Sequence, residues 1–212
     1  MLSNFKNKKN SSSLSTIKKS FQLRKETLGP TVEALGWTTQ EGQYARFNVF
    51  TQMARLSGHS ILDVGCGFAD FLKFLNERKW TGDYSGIDLT PEMIDECNLR
   101  FPNASFYCDD FIKQYTTMKK MYDYTVCSGV ISHKVPYQWL FFDRLVEGLF
   151  KVSKKGFAFN ALSSFAPPHM MHKKSYHYYD PKAVEKRLKK ITSNFRFKMN
   201  YLPHDFTVFV YK

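Results

Sequence analysis

The residues most able to do chemistry sit in one short run, Ile61-Leu62-Asp63-Val64-Gly65-Cys66-Gly67-Phe68-Ala69-Asp70. An apolar stretch ends in an acid and two glycines and then leads into a helical pattern. Glycines at such a turn let the backbone come close to a ligand, because no Cβ stands in the way. A second acid, Asp88, closes the next apolar stretch, Tyr84-Ser85-Gly86-Ile87-Asp88. A carboxylate about 20 residues after the glycine turn can accept hydrogen bonds from both hydroxyls of a ribose. Together the two segments point to a bound nucleoside.

These segments need elements to hold them. The apolar runs 60–64, 84–88, 104–108, 122–128 and 156–162 read as strands. Helical patterns at 69–79, 91–100 and 137–150 separate them, and Thr90-Pro91 opens the second with a cap and a first-turn proline. Alternation of this kind implies an α/β fold: a mostly parallel sheet with helices on both faces. Two further strands, 194–202 and 206–211, joined by Pro203-His204-Asp205, form a closing antiparallel hairpin, which makes seven strands. A helix from Asp180-Pro181 to about Ile191 precedes them. Upstream, residues 1–16 read as a disordered basic tail, 17–58 as an N-terminal helical lid and 59–212 as the ligand-binding domain. The lid holds a short helix at 17–26, a break at Gly29-Pro30, with Pro30 suited to a first helical turn, and a longer helix from about Thr39 to Gly58. The many Phe and Tyr residues, 20 and 12, are read first as core packing.

Which nucleoside is decided by charge. A dinucleotide places its pyrophosphate at the helix N-terminus and usually needs a third glycine, where this chain has Asp70. An acid there would repel phosphate. S-adenosylmethionine (SAM) carries no phosphate, and Asp63 can favour its cationic ammonium and sulfonium. At this point the segment 61–71 resembles the first motif of the class I SAM-dependent methyltransferases, Asp-x-Gly-x-Gly. Segment 84–94 resembles the acidic-loop motif of that family, Phe106-Tyr107-Cys108-Asp109-Asp110-Phe111 its third-strand motif, and 122–130 its fourth-strand motif. The likeness extends over about Trp37 to Lys212, and it implies a Rossmann-like fold with SAM as cofactor and S-adenosylhomocysteine (SAH) as product.

The resemblance carries roles onto particular positions. It implies that Gly65, Cys66 and Gly67 face the methionyl and ribose parts, that Asp88 holds the ribose and that Leu89 packs on the adenine. Asp109 or Asp110 would meet the adenine amine, unless the pair is a helix cap, with Phe111 beside the ring. Ser128 and Gly129 would lie under the methionine end. Gln43-Tyr44-Ala45-Arg46-Phe47 is similar to a Gln-x-x-Arg-Phe stretch in a bacterial branch of the family, which makes Tyr44 and Arg46 cofactor candidates. Arg46 either pairs with the SAM carboxylate in bidentate fashion or is solvated on a helix face. Trp37 either closes over the cofactor or packs the N-terminal helices onto the core.

The methyl acceptor is less legible. Cys127-Ser128-Gly129-Val130 stands where amino-methylating nucleic-acid enzymes carry Asn-Pro-Pro-Tyr or Asp-Pro-Pro-Tyr. A small-molecule acceptor is therefore the leading expectation. The basic tail, with seven Lys or Arg and no acid over 1–25, and the helix from Lys182 to Lys190 favour an anionic one in a chain of net charge +12. Two alternatives stay open: an RNA or protein methyltransferase that holds phosphates with this basic arm, and a non-catalytic SAM-binding protein. His133 is the first candidate for a general base, followed by His169, His172 and His177. Cys66, Cys97, Cys108 and Cys127 form no C-x-x-C pair and no metal-ligand spacing, so buried reduced thiols, no metal and a cytoplasmic location are expected. No apolar run reads as a signal peptide or a membrane span.

Overall fold

The computed structural model describes residues 2–171 and 174–212, with side chains from residue 14 onward. Seven strands form one sheet: β1 (His59–Val64), β2 (Gly82–Asp88), β3 (Ser105–Cys108), β4 (Tyr122–Cys127), β5 (Ser153–Leu162), β6 (Phe195–Lys198) and β7 (Asp205–Tyr211). Their spatial order is β3-β2-β1-β4-β5-β7-β6. The first five strands run parallel, and β7 lies antiparallel between β5 and β6. This is the expected Rossmann-like sheet with its closing hairpin.

The helices are α1 (Leu2–Leu28), α2 (Gln40–Phe50), α3 (Asp70–Asn76), α4 (Pro91–Arg100), α5 (Phe111–Gln114), α6 (Gln138–Val152) and α7 (Pro181–Leu188). Strand alternation explains why helices cover both faces. Leu62 and Val64 enter one apolar cluster, with Phe142, Leu145 and Leu149 of α6, while Ile61 enters the other, with Phe47, Phe71 and Phe74 of α2 and α3. Phe157 and Phe159 of β5 follow Leu62, and Ala158 between them follows Ile61. The apolar positions of α6 recur at helical spacing, which gives it one buried stripe. Most of the largest fully buried side chains are Phe, so core packing accounts for much of the aromatic content.

Several boundaries differ from expectation for local reasons. The helix α1 is continuous through both the stretch expected as a tail and the short helix expected after it; no Gly or Pro interrupts residues 2–28. Residues 31–36 form turns instead of a new helix after Pro30, and the chain leaves them at Gly36 with φ +85°. The helix α2 stops at Phe50, and turns carry the chain to Gly58. Strand β6 is shorter than expected, because Asn200 takes a positive φ of 64° in the turn that follows. The four-residue helix α5 is too short to show periodicity, and its cap is the readable feature: Asp110 accepts a hydrogen bond from the Ile112 N–H at 3.0 Å.

Candidate active site

The chain fills the sheet from β1 outward to β3, then returns to the other side of β1 for β4 and β5. Loops after β1 and β4 therefore leave on opposite faces, and a crevice opens at the carboxyl ends of these two strands. A cavity of about 1330 Å³ lies there. Its walls come from the tips of β1, β2, β4 and β5, from α1, from the 33–39 segment, from α2 and from residues 202–205.

The glycine turn is built tightly. Gly65 has φ +74° and Gly67 φ +54°, the left-handed region where an L side chain is strained. A Cβ on Gly65 would stand 2.1 Å from Val130 Cγ2, and one on Gly67 2.7 Å from Leu35 Cδ2. The Gly67 N–H donates to Asp88 Oδ2 at 3.1 Å, and the Thr90 N–H donates to Asp88 Oδ1 at 2.9 Å. Two backbone donors thus fix the Asp88 carboxylate at the cavity wall, and each oxygen retains acceptor capacity for a hydroxyl. Burial raises the Asp88 pKa, and those backbone bonds oppose the rise.

Asp63 is 4% exposed and accepts a hydrogen bond from the Tyr84 hydroxyl at 2.6 Å. Burial pushes its pKa up to about 7, and the negative charges of Asp88 and Asp70 add to this. Asp70, first residue of α3, is paired with Arg100 at 3.2 Å and receives the Gln43 Nε2–H at 3.1 Å. Because a carboxylate accepts and cannot donate, that bond fixes the Gln43 amide orientation and turns Oε1 the other way. Gln43 Oε1 and Ser128 Oγ are buried at the cavity without a hydrogen-bond partner among the described residues. The Gly129 N–H donates to Asn160 Oδ1 at 2.8 Å, which fixes the turn after β4.

Among sequence relatives, Rv1506c of Mycobacterium tuberculosis, which is named a methyltransferase, is 32% identical over 161 residues, 72% of this chain and 93% of its own. The chain belongs to the class I SAM-dependent methyltransferases. The family model described as a methyltransferase domain matches residues 61–156 of this methyltransferase. A SAM-dependent methyltransferase from Archaeoglobus fulgidus shares the fold with a TM-score of 0.64 at 14% identity, over 82% of this chain and 95% of that one. DhpI, solved as a complex with SAH, does so with a TM-score of 0.65 at 13% identity, over 95% of each chain.

Most of the positions singled out from the sequence come together in this methyltransferase. Trp37, Arg46, Asp63, Gly65, Cys66, Gly67, Asp88, Leu89, Asp109, Asp110, Phe111, Ser128, Gly129 and His133 all line the cavity. Tyr44 does not. It lies a third of a helical turn from Gln43, and its hydroxyl meets Glu77 and Lys73 of the α3 region at 3.2 and 3.1 Å. The bidentate partner expected of Arg46 is taken: its Nε and Nη2 both engage Asp205 Oδ2, Nη1 donates to the Gly42 carbonyl, and Nη2 meets His204 Nε2. Burial lifts Asp205 to about 6, with Arg46 opposing the rise. Trp37 lines the cavity, with Arg46 4.6 Å over its ring and the ring packed against Gly129. Asp110 is the helix cap, leaving Asp109 as the exposed acid of the pair.

The histidines sort differently from expectation. His169 and His177 do not line the cavity, and His172 lies outside the described residues. His133 does line it, but burial and the nearby Arg24 charge push its pKa down to about 4. A neutral imidazole of that kind is a weak proton acceptor at pH 7, so the environment works against a base there. Among the thiols, Cys66, Cys97 and Cys127 are buried and free, while Cys108 is free but exposed. No helix among the described residues is long and apolar enough to cross a membrane, and no group of metal-ligating side chains is found among them.

Sequence reasoning missed Gln43, Asn160 and the particular side chains that α1 contributes, although it expected a helical lid over 17–58. Gln43 was quoted only as the start of a motif, and Asn160 sits inside an apolar strand where its amide side chain was the one available signal. Leu14, Ile17, Lys18, Phe21 and Arg24 face the cavity from α1 at helical spacing.

Proposed function

We propose that this methyltransferase binds SAM across the tips of β1, β2 and β4 and transfers its methyl group to a small, preferentially anionic molecule held inside the cavity. The observation that carries this reading is the position of α1. The basic helix is docked on the body: Gln22 Nε2 donates to Glu92 Oε1 at 2.7 Å, and Lys25 Nζ donates to the Glu92 carbonyl and pairs with Glu96. Its inward face walls the cavity, an arrangement suited to an enclosed small acceptor rather than to an arm that wraps a long polymer.

The residues present fit the cofactor. Asp88 would accept from the ribose hydroxyls, and Leu89, Phe111 and Asp109 would border the adenine. The unpartnered Gln43 Oε1 suits a cationic ammonium, as does the ionised form of Asp63. Arg46 keeps one N–H beyond those engaged by Asp205, Gly42 and His204, enough for a single bond to the methionyl carboxylate. Ser128 and Gly129 would underlie the methionyl part, with Trp37 closing from above.

SAM, once held by these residues, would supply a sulfonium methyl whose carbon takes the acceptor's lone pair while the C–S bonding pair remains on sulfur, leaving SAH. The chain aligns the two partners and excludes water. Trp37, Leu35 and α1 form the roof that does the excluding. His133 contributes to the wall in its neutral form. Four free cysteines support a cytoplasmic setting.

The test is incubation with methyl-labelled SAM and fractionated extract, with and without nuclease and protease. Label in a nuclease- and protease-resistant small-molecule fraction is the expected result. Label lost to nuclease or protease would replace the small acceptor with RNA or protein, and saturable SAM binding with no label anywhere would leave a binding protein only.

A further inference from the structure

The cavity is larger than a nucleoside cofactor needs, and the end walled by α1 has a character of its own. Phe21 meets the His133 ring edge-on at 5.4 Å, and His133 meets Tyr176 at 5.4 Å with the rings tilted by 40°. The Arg24 guanidinium lies 5.1 Å over the Phe21 ring. Arg24 and Tyr176 converge on Gly36: a Cβ built there would stand 2.9 Å from Arg24 Nη1 and 2.9 Å from the Tyr176 hydroxyl. Gly36 has φ +85°, so the backbone at that point is both bare and bent to admit them.

Arg24 is only partly exposed, and no described carboxylate lies within ion-pair distance of it. Other cations of the region are committed or stand apart from the rings. Lys25 is turned onto α4. Lys18 lines the cavity as well, two helical turns before Lys25, and its charge reaches Cys108 at the tip of β3 rather than His133. Arg46 is held by Asp205. The charge of Arg24 is felt within the cavity, because it helps keep His133 neutral. A half-buried guanidinium over aromatic faces presents a planar fork suited to a carboxylate or phosphate. Three rings beside it present flat apolar surface. His133, held neutral by burial and by the Arg24 charge, is a weak base at neutral pH, which suits an acceptor that reaches the cavity already carrying an attacking lone pair.

We propose that this end is the acceptor site, that it takes a flat, unsaturated small molecule bearing one carboxylate or phosphate, and that Arg24 holds that anion. This rests on reading the chain as a SAM-dependent methyltransferase of small molecules, and it names the class of acceptor and the residue that selects it.

The full chain is incubated with SAM carrying a deuterated methyl group and a low-molecular-weight cell extract, and products are found by their mass shift. SAM affinity is measured separately by calorimetry for the wild type, Arg24→Gln and Arg24→Lys. The expected product is an ultraviolet-absorbing compound whose precursor is anionic at pH 7. Arg24→Gln is expected to raise the acceptor KM roughly tenfold to a hundredfold, as loss of a charge-assisted hydrogen-bond pair would, with SAM affinity unchanged. Arg24→Lys keeps the charge without the fork and should fall between. A neutral or cationic precursor would overturn the proposal. So would wild-type labelling by Arg24→Gln, label in RNA or protein only, or no labelled small molecule from protein that binds SAM. Failure of the wild type to bind SAM would instead remove the proposed function beneath it, and the calorimetry separates the two cases.

Discussion

The two ends of the cavity are built in different ways. The end near the strand tips comes from short contiguous segments, each placed by a parallel strand: Asp63 to Gly67 after β1, Asp88 and Leu89 after β2, Ser128 and Gly129 after β4. Its polar groups are held by backbone bonds, as Asp88 is by Gly67 and Thr90. The other end brings together Phe21 and Arg24 from α1, Gly36 from a turn, His133 from the loop after β4 and Tyr176 from the loop after β5. Rings and one guanidinium line it, and an antiparallel bridge between His133 and Tyr176 ties two of its segments together. On the reading proposed above, the difference teaches that a ligand common to many proteins is gripped by local backbone geometry, whereas a particular acceptor is chosen by side chains gathered from distant parts of the chain.

Substitutions can sharpen or break this contrast. The largest expected effect is on stability. Arg46→Ala would leave Asp205 buried without its cation, at a cost of about 3–5 kcal/mol by urea unfolding, and adding Asp205→Asn should recover part of it. A loss below about 1 kcal/mol would show that the pair behaves as a solvated one. Next, Asp88→Asn should weaken SAM binding by roughly a hundredfold, the loss of two hydrogen bonds to a charged acceptor. Unchanged calorimetric affinity would break the assignment of the strand-tip end.

A pH effect of intermediate size follows from Asp63. Its pKa is raised to about 7, so the free protein carries it largely protonated below that value. A cationic ligand favours the ionised form, hence SAM binding strengthens as pH rises through 7 and levels off above. Below 7 the Kd should worsen by up to about tenfold per pH unit, and Asp63→Asn should flatten the slope. The same group destabilises the fold as pH rises from the ordinary carboxylate range toward 7, because the folded state then holds the extra proton.

Smaller again is His133→Phe. Turnover should stay within about threefold, since a ring with a pKa near 4 contributes surface rather than proton transfer. A loss of two orders of magnitude would restore the histidine as a base. Least of all, Tyr44→Phe should change neither SAM affinity nor turnover, with stability altered by less than about 0.5 kcal/mol, because the hydroxyl faces Lys73 and Glu77 outside the cavity.

The same contrast explains what could be read from the chain beforehand. The fold was legible because β1, β2 and β4 are apolar runs bounded by glycines, caps and Thr90-Pro91, all short-range cues. The strand-tip residues were legible because they follow those runs directly. Tyr44 was misplaced by one position on a helix, where a single residue rotates a side chain by about 100°. The role of Arg46 depended on Asp205, a residue 159 positions away, whose presence beside it no local pattern announces. A helical lid was legible, but the place of Arg24 in it was hidden for the same reason: it reads as one more basic residue until the helix is laid against His133 and Tyr176.

One consequence of the break at Gly29-Pro30 concerns how such a protein can diversify. The helix before that joint rests on the body through Leu14, Ile17, Gln22 and Lys25, while Phe21 and Arg24 turn toward His133. On the proposed assignment of the acceptor end, exchanging those two side chains would redirect which compound is modified while the anchoring residues keep the helix, and with it the donor's berth, in place.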